Sequence, residues 1–161
     1  MKEAPQVDDA QRCIDYLVSR NDVDANRIGM IGLSFGGTMT TFTAAIDRRI
    51  KAAVISCYLS SIADALGERG SGNTCGSQFL FGLRAIGEIA DVAGLIAPRP
   101  CLVQIGKKDG CFIDRDAMAA FNHLKRIYRG AGASSQLELD RFDGGHEMNV
   151  GPAVEFLRRH L

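Results

Sequence analysis

Four short apolar runs, separated by stretches of helical periodicity, organise this chain. Ile28 to Leu33 is apolar at nearly every position, which predicts a short strand buried on both faces, as parallel strands usually are. Lys51–Cys57 and Pro100–Gly106 read as two more buried strands, and Gln136–Phe142 alternates as a fourth. Between them, residues 6–20 place Val7, Ala10, Ile14, Leu17 and Val18 on one helical stripe. Further helices are expected over 38–47, over 88–96, and from a cap at Asp114 along the stripe Ala117, Ala120, Phe121, Leu124 and Tyr128. That helix stops at Gly130 and Gly132, and a terminal helix covers 152–161. From Tyr58 to about Gly87 the pattern loosens into a Gly- and Ser-rich loop long enough to be functional or partly disordered. Strands alternating with helices imply right-handed crossovers and a parallel sheet, here one α/β domain of about four strands over residues 1–161.

The chemistry-bearing residues fall where those strands end. The first strand runs into Gly32-Leu33-Ser34-Phe35-Gly36 and a helix follows at once, the strand, G-x-S-x-G and helix order of a nucleophile elbow. A turn that tight predicts a need for glycine two residues before and two after the serine. It also aims the first N–H groups of the helix at the hydroxyl. The third strand ends in Lys107-Lys108-Asp109-Gly110 and the fourth in Asp143-Gly144-Gly145-His146. In open parallel sheets the functional groups come from the loops at the strands' carboxyl ends. A serine hydroxyl needs a base to take its proton, histidine suits that role near neutrality, and a carboxylate must hold the ring in the right tautomer. Each residue also has a plainer reading: Ser34 as a helix cap, Asp109 as a turn residue with Asp114 and Asp116 as nearby substitutes, His146 as a surface loop residue. His123 lies off the apolar stripe of its helix and His160 lies beside the terminus, so both compete poorly as bases. Cys75 or Cys111 could serve as a thiol nucleophile, but neither has the elbow; Cys13 and Cys57 read as small core residues.

Composition narrows the partners. Among 161 residues, 19 Lys and Arg balance 19 Asp and Glu, so no net field attracts nucleic acid or an anionic membrane. No apolar run approaches the roughly 20 residues of a membrane span, and the first residues do not read as a signal peptide. Five scattered cysteines without a C-x-x-C pair suggest a reducing, cytoplasmic setting, and no metal or cofactor is implied by ligand spacing.

With these motifs in hand, the chain resembles the α/β-hydrolases of the dienelactone-hydrolase and acetyl-xylan-esterase-like group. The resemblance rests on Ile31-Gly32-Leu33-Ser34-Phe35-Gly36-Gly37, on Asp91 to Pro100 running into Gly106-Lys107-Lys108-Asp109, and on Phe142-Asp143-Gly144-Gly145-His146-Glu147. It implies Ser34 as nucleophile, Asp109 as acid, His146 as base, and hydrolysis of short-chain, acetyl-type esters through an acyl-enzyme. The position after Phe112 is Ile113, where the family pattern tends to have proline. Family members begin with several more strands and a first helix, so the expected fold is a truncated α/β-hydrolase with helices mainly on one face of the sheet. The loop that ordinarily donates a second oxyanion N–H is then absent, leaving the backbone N–H of Phe35; one lost donor costs about 100- to 1,000-fold in rate. An uncovered face and edge near residues 27–33 predict a homo-oligomer, in which a second subunit could supply that donor. Tyr58, Phe79 and Phe81 are expected to line the acyl pocket. The competing expectations are a truncated hydrolase acting as an interaction module without turnover, and a lactone or peptide hydrolase on the same fold.

Overall fold

The four apolar runs form one parallel sheet in the order β1-β2-β3-β4, in a computed structural model that describes residues 3–63 and 82–161. The strands are β1 (Ile28–Leu33), β2 (Ile50–Ser56), β3 (Cys101–Gly106) and β4 (Leu137–Phe142), each hydrogen-bonded in parallel to the next. The helices are α1 (Glu3–Ser19), α2 (Phe35–Ile46), α3 (Ile89–Gly94), α4 (Asp114–Gly130) and α5 (Val150–His160). Sequential strand order with every strand parallel carries all the strand exits to one end of the sheet, as the alternating pattern requires.

Successive strand residues face opposite sides, and the two sides build separate cores. Ala53, Ile55, Cys101, Val103 and Ile105 point to the larger one, together with Ile14 of α1, Ala44 of α2, Ala93 of α3 and Leu124 of α4. Ala52, Val54 and Leu102 point the other way, onto Ala153 and Phe156 of α5. Among the described residues, four of these helices therefore lie on one face and one on the other, in line with helices mainly on one face. Phe156 is fully buried, and withdrawing such a ring from water stabilises by about 2–3 kcal/mol, so α5 is anchored chiefly by that residue.

The strand expected to be buried on both faces is covered over only part of its length. A Cβ at Gly29 would meet the ends of Leu161 and Leu157, so α5 closes over the start of β1. Farther along the same face Ile31 is 39 % exposed and Leu33 is half-buried. At the C-terminus of α4 the chain leaves through Gly132 at φ 69, with Ala133 N–H donating to Tyr128 O at 2.9 Å, so Gly132 supplies the left-handed turn that ends the helix. Asp114 does not cap α4: the cap residue is Ile113, and the Asp114 carboxylate instead binds the Arg141 guanidinium through two bonds of 2.6 and 2.7 Å. That pairing lowers the Asp114 pKa below the usual carboxylate range.

The Pro98-Arg99-Pro100 segment has a structural purpose. The half-buried Arg99 guanidinium donates to the carbonyls of Ala44, Asp47 (3.0 Å) and Ile50 (2.7 Å), binding together the end of α2 and the turn into β2. Arg99→Ala is expected to cost about 3 kcal/mol in chemical denaturation, because hydrogen bonds from a charged donor are the strong ones. Arg99→Lys should recover less than half of that loss, since an ammonium lacks the planar fork that reaches three carbonyls.

Candidate active site

Ser34, Cys57, Asp109 and His146 lie immediately beyond or a few residues beyond the carboxyl ends of β1, β2, β3 and β4 respectively. The elbow is as tight as its sequence suggests. Ser34 adopts φ 57 and ψ −115, a strained conformation for a residue with a side chain, and α2 begins at the next residue, three earlier than the periodicity places it. Ser34 N–H donates to Ser56 O at 3.0 Å, and Ser34 O accepts from Thr38 N–H at 3.0 Å, so the strained residue is tied on both sides. The Phe35 N–H sits in the first helical turn, where N–H groups lack intrahelical acceptors.

The glycine requirement differs from the expected one. A Cβ at Gly32 would lie 2.0 Å from Gly36 O, and one at Gly37 would lie 2.6 Å from Tyr58 Cβ, so both positions need glycine for space. Gly36 has nothing within 4 Å of where its Cβ would be, and its φ is not positive. The motif's second glycine is therefore not sterically required.

Asp109 is only 5 % exposed, and both of its oxygens are engaged. Oδ1 accepts from the backbone N–H of Cys111 (2.7 Å) and of Phe112 (3.0 Å), while Oδ2 faces His146 Nδ1 at 2.9 Å. An ionised carboxylate can only accept, so the imidazole donates from Nδ1, and in the neutral ring that makes Nε2 the acceptor nitrogen. Asp109 is thus both a turn residue and the partner of His146. The loop carrying His146 is laced to the β3 exit by Lys107 N–H to Phe142 O (3.0 Å) and Lys108 N–H to Gly144 O (2.8 Å). A Cβ at Gly106 would fall 2.1 Å from Gly145 O, so the glycine lets the two loops touch. Phe112 stacks on the His146 ring, with centroids 5.9 Å apart and planes 16° apart.

The sheet order places β4 three strands from β1, so His146 must reach back across the strand ends to meet a nucleophile on the elbow. Contacts carry its loop as far as the end of β2. Cys57 Sγ, at the end of β2, lies 3.3 Å from Glu147 O and 3.8 Å from Gly145 O. The imidazole loop therefore arrives at the strand adjacent to β1, one strand spacing of about 4.8 Å from it.

Other expectations are placed as follows. Tyr58 is 1 % exposed and packs edge-on against Phe112, 5.8 Å between centroids, so its ring backs the residue that supports His146 rather than walling an acyl pocket. Phe79, Phe81 and Cys75 lie outside the described residues. His123 bridges to Asp91 at 2.6 Å, linking α4 to α3, and His160 packs on Phe156 beside Glu138, so each is engaged apart from Asp109 and His146. Cys13 is exposed rather than packed, and Asp116 is buried beside Arg115. Donor atoms of Cys57, Asp109 and His146 lie within 4.8 Å of one another, a spacing a metal ion could bridge. Asp109 and His146 are already bonded to each other there, and the adjoining space around Cys57, Gln104 and Asp109 leaves no room for a water.

Comparison with known proteins extends this description. The model of the prolyl oligopeptidase family, Peptidase_S9, matches residues 2–149. The Bacillus subtilis (strain 168) protein named "Putative hydrolase YtaP" is 33% identical over 156 residues, which is 95% of this chain and 52% of that protein. A carbohydrate esterase family 15 glucuronoyl esterase from Caldicellulosiruptor kristjansonii superposes with a TM-score of 0.78 at 18% identity, over 96% of this chain and 49% of its own. Methylesterase BT1017 does so with a TM-score of 0.74 at 29% identity, over 96% of this chain and 34% of its own. The chain thus spans about half or less of the length of these relatives, and its four-stranded sheet has the α/β-hydrolase fold.

Proposed function

Because the chain belongs to the prolyl oligopeptidase family, we propose that it is a serine hydrolase cleaving small, short-chain carboxylic esters through Ser34, His146 and Asp109. The observation that carries this reading is the Asp109–His146 bond: with Oδ1 fixed by two backbone donors, Oδ2 holds the ring so that Nε2 is the atom left to accept a proton. Ser34 Oγ attacks the ester carbonyl and passes its proton to Nε2. Asp109 stabilises the imidazolium that forms, and the Phe35 N–H receives the charge developing on the carbonyl oxygen. His146 then returns the proton to the departing alkoxide, leaving an acyl-Ser34 that water, deprotonated by the same nitrogen, hydrolyses.

Esters are favoured over amides on chemical grounds. An alkoxide is a better leaving group than an amide anion, so an ester makes the smaller demand on the same three residues. The 29% identity to a protein named methylesterase supports the same choice. The family's own name makes peptide amides the second reading. Hydrolysis of p-nitrophenyl esters of rising acyl length, beside a lactone and a peptide anilide, separates them. The acetate ester should give the highest kcat/KM, with Ser34→Ala at background. A peptide anilide turned over faster than the acetate ester would reverse the assignment, and a folded chain inert to all of them would favour an interaction module.

The same reading includes self-association. β1 is a sheet edge, Ile31 is exposed on it, and a groove of about 420 Å³ lined by Val23, Arg27, Val154, Leu157 and Leu161 runs beside it. Light scattering at micromolar concentration should report a homo-oligomer, and a stable monomer would contradict this part of the reading.

A further inference from the structure

Cys57 is the first residue after β2 and is 2 % exposed. Its backbone adopts φ 44, the left-handed region that glycine enters freely and a residue with a Cβ enters at a cost. A side chain kept where the backbone favours none points to a job for that side chain. Its surroundings identify the job. Gly145 and Glu147 flank His146 in the chain, and the carbonyls of both face Cys57 Sγ, at 3.8 and 3.3 Å. The sulfur also lies within 4.8 Å of donor atoms of both Asp109 and His146. Cys57 N–H is tied to Gln104 O at 3.0 Å, so the thiol is presented from a fixed backbone.

We infer that Cys57 is a positioning residue: its S–H donates to the Glu147 carbonyl, with the Gly145 carbonyl also facing the sulfur, and so holds the imidazole against Asp109. The loop's backbone bonds to the sheet through the Lys107 and Lys108 N–H groups are at the β3 exit, on the side away from the nucleophile. The thiol is the fastening on the β2 side, next to the strand that carries Ser34. Burial pushes its pKa up to about 11, and the charge of Asp109 adds to the shift, so the sulfur keeps its hydrogen across the neutral range. The same burial makes it a poor nucleophile, which separates this role from thiol catalysis.

The inference rests on the assignment of His146 and Asp109 as base and acid, but its test does not need turnover. In wild-type protein with 15N-labelled histidine, a downfield proton on His146 Nδ1, absent from His146→Gln, reports the bond to Asp109. Cys57→Ser keeps a donor and should keep that resonance. Cys57→Ala should exchange this proton with water about tenfold faster, and lower kcat about tenfold at unchanged KM, the size expected for one hydrogen bond of modest strength. Cys57→Gly, which suits the left-handed backbone, makes the same comparison should the alanine variant not fold. Equal exchange rates in wild type and Cys57→Ala would overturn the inference, as would a wild type without the resonance. Failure of the esterase reading would show separately, as a wild type that keeps the resonance yet turns over no ester.

Discussion

Replacing Asp109 with asparagine should lower kcat about ten-thousand-fold while leaving the melting temperature nearly unchanged. The size follows from which atom goes where. The Oδ1 position faces two backbone donors, Cys111 N–H and Phe112 N–H, so only the amide oxygen of an asparagine fits there. Its NH2 group must then occupy the Oδ2 position and donate to His146 Nδ1. The ring can accept that bond only by moving its own proton to Nε2, the atom that has to take the proton of Ser34. The turn survives, the contacts survive, and the base is in the wrong tautomer. Asp109→Ala makes the contrast. It leaves two buried N–H groups without an acceptor, so it should lose stability by about 1–3 kcal/mol for each as well as activity. Calorimetry beside ester hydrolysis separates the two variants, and an asparagine variant retaining a tenth of wild-type kcat would remove Asp109 from the mechanism.

The second large effect is expected at the elbow. Gly32→Ala would set a methyl group 2.0 Å from Gly36 O, 2.2 Å from its carbonyl carbon and 2.8 Å from its Cα, all backbone atoms without a rotamer to change. Relief requires β1 and α2 to part around Ser34, which is already strained. A loss above about 4 kcal/mol is expected, the range reserved for steric conflicts of this kind. In a chain of this size that corresponds to a fall in Tm of roughly 10 °C or more. Gly36→Ala, four residues on, should instead raise Tm slightly, since it adds a methyl group into open space and removes a glycine from the first turn of a helix. Equal melting of wild type and Gly32→Ala would show that the turn is looser than described.

What could be read from the sequence, and what could not, follows the range of the interactions. The four strands are visible because their apolar runs are local, and their parallel pairing follows from the alternation with helices. Ser34, Asp109 and His146 stand out as candidates because each sits in a short loop directly after a predicted strand, and the structure pairs the last two. Most of the misreadings concern contacts made across long stretches of chain. Asp114 looks like a cap because it precedes a helix, yet its partner is Arg141, 27 residues away. Gly36 looks as necessary as Gly32 because a motif counts residues, whereas only Gly32 has a backbone carbonyl in the way. Tyr58 looks like a pocket wall because it opens a loop, but Phe112 and the core take its ring. Cys57 carries no local signal, for its partners are 88 and 90 residues downstream. Its position just past a strand, at the same end as the three candidate residues, was the available clue.

Exposure of the folded chain to a fluorophosphonate, followed by mass spectrometry of its peptides, addresses the central claim most directly. A serine lacking an aligned base does not displace fluoride from such a probe at a useful rate, so the adduct reports nucleophile, base and acid acting together. The account predicts one phosphonate, on Ser34, with labelling abolished in Ser34→Ala and His146→Gln and strongly slowed in Asp109→Asn. A folded protein that remains unlabelled, or is labelled at another residue, would contradict it.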